Sequence, residues 1–265
     1  MVGLSPLLVL YLVMGNPGMM VDPQTGMPTF SPTFFLLMIA GMLMVAVLWG
    51  ALTAEVDGDA VGGAVAVGDG FRAGFRALLR MIGAGILAYL AMLGLMIPVG
   101  IVAFLVSLVG AVIGSTTVMA VLMVLGFAVP GIVAGVIWLS LTFLMVPALV
   151  VEDLGPIRAL RRANELAKGG RIRVCATAIL AYLVMILPTI GLPFVLGMGP
   201  MLWNPQAAGQ VSTVQLYLYE VVMIGASAFT TPFMVATMVF TYYDRRVRRE
   251  GYDVELASAS VGTLV

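Results

Sequence analysis

PALVVEDLGPIRALRRANELAKGGRIRV, residues 147–174, leaves one long apolar run, makes a short basic helix and enters the next apolar run. Pro156 stands where a first-turn proline belongs, and Gly169-Gly170 stands where a helix stops. At roughly 100° per residue, Ile157, Ala159, Leu160, Ala163, Leu166 and Ala167 sweep one half of the wheel. Arg158, Arg161, Arg162, Asn164, Glu165 and Lys168 fill the other half. A helix divided in this way, between two apolar runs, is expected to lie in the membrane plane. Its apolar face would meet acyl chains and its cations the phosphates. Arg161 and Glu165, four apart, are placed to pair.

The whole chain has the same character. Of its 265 residues, 62% are hydrophobic and 10% charged, with a mean hydropathy of +1.11. Soluble domains run at roughly 45–50% and 25%, so lipid is the expected solvent. There is no histidine and a single cysteine, Cys175. That composition excludes an intrachain disulfide, a Cys/His zinc site and histidine-based acid–base or triad chemistry. The 20 methionines read as flexible apolar filler.

Residues 4–14 are apolar but shorter than the roughly 20 residues a crossing needs. We read them as the tail of a spanning helix whose start is missing, rather than as a re-entrant piece or a signal peptide. Residues 15–32 carry four prolines and are expected to be an irregular loop. Further spans are predicted over 33–54, 81–109, 118–151, 174–196 and 213–243. A glycine-rich acidic segment follows the first of these. FRAGFRALLR, residues 71–80, then repeats the in-plane device, with Arg72, Arg76 and Arg80 as a stripe and Asp69 as the expected cap. Tyr242-Tyr243 reads as an interfacial belt.

All 13 Lys and Arg fall in three places: Arg72 to Arg80, Arg158 to Arg173, and Arg245 to Arg249. With the spans so drawn, these share one side, which the positive-inside rule makes cytoplasmic. The expected object is an all-α, polytopic transmembrane bundle of about six spans in the cytoplasmic membrane, both termini inside. It occupies residues 1–256, with 257–265 as a disordered tail. ILAYLAML at 86–93 returns as ILAYLVMI at 179–186, an offset of 93, with Arg80 and Arg173 at matching positions. The expectation is a parallel internal repeat, units 69–154 and 156–250.

Tyr89 and Tyr182 are equivalent in that repeat and fall near mid-membrane, where a buried hydroxyl wants a partner. They are candidates for an intramembrane polar pocket, with Ser140 and Thr142 at similar depth; ordinary interhelical hydrogen bonding is the simpler reading. Glu220 is placed by its distance from Asp244 at the outer headgroups. Arg72, Arg76, Arg80, Arg158, Arg161, Arg162, Lys168, Arg171 and Arg173 are candidates for contact with anionic phospholipid head groups. Asp57, Asp59, Asp69, Glu152 and Asp153 are acids of the kind that hold Mg²⁺, but glycine-rich and helix-capping positions account for them. No catalytic set, cofactor site or metal site is expected, and no nucleic-acid surface. A partner membrane or soluble subunit fits such a chain.

Two stretches carry a resemblance. Residues 147–174, through Pro147, Glu152, Gly155, Arg161 and Gly169, are similar to prokaryotic membrane proteins related to the membrane domain of glycerophosphoryl diester phosphodiesterase. The ending TYYDRRVRREGYDVEL resembles them more specifically. The resemblance implies several spanning helices, sometimes with a fused soluble catalytic barrel that uses histidines and acids. That barrel has no counterpart here, so the resemblance does not carry the activity. The group usually opens with a further basic helix, which implies a piece missing at the start.

Overall fold

The computed structural model describes residues 19–21, 28–30, 32–63, 65–199 and 212–251. In chain order these are strands β1 (Met19–Val21) and β2 (Pro28–Phe30), then helices α1 (Pro32–Ala60), α2 (Val67–Ile113), α3 (Thr116–Val151), α4 (Pro156–Ala167), α5 (Arg171–Val195) and α6 (Thr213–Glu250). The fold is all-α apart from the two short strands, which pair antiparallel with Met19 opposite Phe30. They correct the expectation of a wholly irregular loop over 15–32. Among the described residues, five helices (α1, α2, α3, α5 and α6) are long and apolar enough to cross a membrane. The expected span at 4–14 and the tail at 257–265 lie outside the described residues.

Two boundaries differ from the sequence reading. α1 runs on through Glu55, Asp57 and Asp59 to Ala60, because acids do not end a helix while the glycines after them do. The basic segment 71–80 is the opening of α2, a continuous 47-residue helix, and not a separate in-plane helix. At 1.5 Å per residue α2 is about 70 Å long, over twice a hydrocarbon core of about 30 Å. Asp69 lies in its first turn rather than at its cap; there it favours the helix dipole and pairs with Arg72. The break predicted over 110–117 is a tight turn. Gly114 takes a φ of +74°, and the Ser115 hydroxyl accepts from the amide of Val118 to start α3.

The described chain forms two compact units, one from residues within 1–78 and 180–236, the other from 79–179 and 237–265. In the first unit, α1 and the opening of α2 touch through small residues. A side chain on Gly74 would run into the backbone oxygen of Val47, and one on Gly70 would meet Glu55 at 2.7 Å. Val47, Ala51 and Ala77 are buried there, while Phe75 is exposed.

The second unit follows the same rule. Gly110 of α2 lies against Met119 of α3 and Gly126 of α3 against Val106. Ala84, Ala88, Ala103 and Ala134 are buried while Ile101, Phe104, Leu105 and Val133 of the same helices are exposed. Only toward its end does α3 bury larger residues, Leu141, Phe143, Leu144 and Leu149. In water the large apolar residues would turn inward. Among lipid tails they gain nothing by doing so, and close backbone approach between small residues decides the packed face. The Trp138 indole donates to the carbonyl oxygen of Ala88 at 3.1 Å across this α2–α3 contact. Thr142 and Ser140 donate to carbonyls of their own helix, as does Thr53 of α1 in the first unit.

Candidate functional site at the basic helix ends

The end of α3, all of α4, the start of α5 and the end of α6 meet within the second unit. α4 starts and stops where Pro156 and Gly169 require, Gly169 taking a φ of +71°. Ala159, Ala163, Leu166 and Ala167 are fully buried, and α4 packs on α3. This corrects the expectation that the apolar face of α4 meets acyl chains, since alanines at that spacing permit close packing on protein instead. Ile157, assigned to that face, is 68% exposed.

On the opposite side of α4, Arg162 reaches into a charged cluster. Its Nε stands 3.0 Å from both Glu152 oxygens and its Nη2 2.9 Å from Oε1, a bidentate pairing. Nη1 and Nη2 also donate to Glu250 at the end of α6, the second at 2.8 Å. The Tyr242 hydroxyl donates to Glu152. Arg246 closes the ring, 3.5 Å from Glu250 and 3.7 Å from Glu152. The charged side chains are between 16% and 29% exposed. Two arginines balance two glutamates. The hydrogen bonds that Arg162 donates to Glu250, and then to Glu152, hold its pKa above the ordinary arginine value against the opposing effect of burial. The arrangement is a clasp joining α3, α4 and α6.

Tyr242, expected in an interfacial belt, is instead buried, its ring edge-on to Tyr243 at 6.0 Å. Arg245 is buried too, and donates from Nε to the Leu166 carbonyl and from Nη2 to that of Lys168, each at 2.9 Å. Arg249 also donates to Lys168. These arginines cap the orphan carbonyls at the end of α4. Gly170 makes this approach possible, because a side chain there would overlap the Arg245 guanidinium. Asp153 between α3 and α4 takes a φ of +50° and receives Arg80.

With this geometry in view, the comparison with known families is decisive on one point. Residues 3–245 match a family described as a domain of unknown function, DUF7847. The chain belongs to that family. No curated protein and no solved structure matches it. The DUF7847 match takes in Glu152, Arg162, Tyr242 and Arg245, and ends just before Arg246 and Glu250.

The other candidates of this DUF7847 chain are distributed as follows. Arg72, Arg76, Arg158, Arg161, Lys168 and Arg173 are exposed. Arg80, Arg162 and Arg171 are half-buried, held by Asp153, by the clasp and by Asn164 respectively. Arg161 and Glu165 form no pair with each other. Tyr89 is 62% and Tyr182 44% exposed, and the two lie in different units. Their repeat equivalents behave alike, Ala88 and Ala181 being buried one residue before. Of the acids weighed for Mg²⁺, Asp69, Glu152 and Asp153 have arginine partners, and no group of three metal-ligating side chains occurs among the described residues. Cys175 is buried. The Glu220 side chain lies outside the described residues.

Sequence reasoning missed the clasp. The one signal pointing to it was the resemblance, whose marked residues include Glu152, Tyr242, Arg246 and Glu250.

Proposed function

We propose that this chain is a multi-pass protein of the cytoplasmic membrane that acts without catalysis of its own, as a membrane domain or accessory subunit. One observation carries the reading. Glu152 and Glu250 are balanced by Arg162 and Arg246 in a clasp at the helix ends, while the long helices expose Leu, Ile, Val and Phe along their length. Helices that expose such side chains present lipid-compatible surfaces. The clustering of all 13 cations supports placing the clasp, and both termini, in the cytoplasm. The resemblance to the glycerophosphoryl diester phosphodiesterase membrane domain agrees in kind, and a soluble catalytic partner is the subunit it implies.

The paired burial of Ala88 and Ala181 and the paired exposure of Tyr89 and Tyr182 favour a parallel repeat. A transporter or lipid-handling protein is therefore the second reading.

Single cysteines at Ser115 and Lys168, in a Cys175→Ala background, test the first reading. In intact cells a membrane-impermeant thiol reagent should label the Ser115 position, and the Lys168 position only after permeabilisation. The reverse pattern would overturn the orientation. Phosphodiester hydrolysis by the purified chain alone would overturn the non-catalytic role, and counterflow in proteoliposomes would establish the second reading.

A further inference from the structure

We infer that the outward edge of α4 and the first turn of α5 form a ledge that docks on the anionic headgroups of the adjoining bilayer leaflet. The inference rests on the membrane reading above and adds the lipid class. Within 79–179 and 237–251 there are eleven Lys and Arg against five Asp and Glu, an excess of six positive charges, all at the helix-end junction. Four of the acids are committed: Glu152 and Glu250 to Arg162 and Arg246, Asp153 to Arg80, and Asp244 to Arg248 at 2.7 Å. Arg158, Arg161, Lys168 and Arg173 remain exposed, with no ion pair among the described residues. Glu165 is the one acid among them.

Charge alone would suit any acidic partner. The apolar neighbours of these cations select the bilayer. Ile157, beside Arg158, and Ile172, beside Arg173, are 68% and 80% exposed. Ile172 begins the outward stripe of α5 that continues through Ala176 to Ile179, so the cations sit where an apolar helix face ends. Isoleucine entering the acyl boundary beside arginine reaching phosphate satisfies both groups at once. A soluble acidic surface would satisfy only the charges. The nine cations nominated from sequence thus reduce, in this unit, to Arg158, Arg161, Lys168 and Arg173. Arg80, Arg162 and Arg171 are already held within the protein.

The full chain in detergent, titrated with phosphatidylglycerol or phosphatidylcholine of the same acyl chains and read by native mass spectrometry, tests this. Wild type should retain phosphatidylglycerol in preference. Arg158→Gln and Arg173→Gln should each weaken that retention about fivefold, with thermal unfolding unchanged. Ile157→Ser with Ile172→Ser should weaken it with all charges intact, whereas Arg248→Gln should not. Equal retention of the two lipids would overturn the inference, as would displacement of phosphatidylglycerol by free glycerol phosphate at matching concentration. A chain that never enters the membrane fraction would instead overturn the membrane reading beneath it.

Discussion

Arg162 and Glu250, 88 residues apart in the chain, meet where α4 crosses the end of α6. The same guanidinium is bidentate to Glu152, only ten residues before it, at the end of α3. One side chain therefore links a local contact to the far end of α6. Arg162→Met should leave the two glutamates sharing Arg246 as their one remaining cation in the clasp. Removing one partner of a buried pair costs about 3–5 kcal/mol. With each partner about a fifth to a third exposed, we expect the lower part of that range, seen as an earlier thermal unfolding in detergent. Arg162→Lys should recover only part, since an ammonium cannot pair bidentately. Unfolding of Arg162→Met at the wild-type temperature would remove the clasp from the account.

Tyr242→Phe tests the other side of Glu152. The ring stays buried and only the hydroxyl donor is lost, so the cost should be about 1–2 kcal/mol. Glu152→Gln should cost more, because Arg162 and Arg246 lose a charge as well. Combined, the two should cost less than their sum. Strict additivity in a double-mutant cycle would mean that Tyr242 and Glu152 do not interact.

Gly170 is predicted to be intolerant for a reason unrelated to its helix-stop position. Gly170→Ala should displace Arg245 from the Leu166 and Lys168 carbonyls and destabilise by about 1–3 kcal/mol. Gly131→Ala is the control, since a side chain there meets nothing within 4 Å. It should be neutral or stabilising by up to about 1 kcal/mol through helix propensity. Equal effects of the two substitutions would contradict the capping role.

Gly74→Leu should separate α1 from the opening of α2, because the new side chain would meet the Val47 carbonyl, and backbone does not move aside as a side chain does. Loss of folded protein from the membrane fraction is the expected readout. Gly100→Leu, in the same helix with open space around it, should be accumulated normally. Normal accumulation of both would show that the α1–α2 contact is dispensable.

Residues 71–80 open a long apolar helix, whereas residues 156–167 form a short helix of their own. Both stretches alternate arginine with apolar residues at helical spacing. α4 has Gly155-Pro156 before it and Gly169-Gly170 after it, which isolate it as a helix of its own. Nothing between Arg80 and Met81 interrupts the backbone, so the basic segment continues into the span. Periodicity identified a helix in each case; only local breakers decide whether it stands alone.

Residue pattern alone determined the five long apolar segments, the turn at Gly114, the limits of α4 and the gathering of cations into three places, because hydropathy, proline, glycine and charge act over a few neighbours. Tertiary structure alone decided which face of each helix is packed and which charges are consumed. Alanine and leucine are both at home among acyl chains, so hydropathy does not separate the packed face from the lipid-facing one; that depends on how closely two backbones approach. Whether an arginine such as Arg162 is taken or free, as Arg161 is, depends on a carboxylate that another helix brings to it.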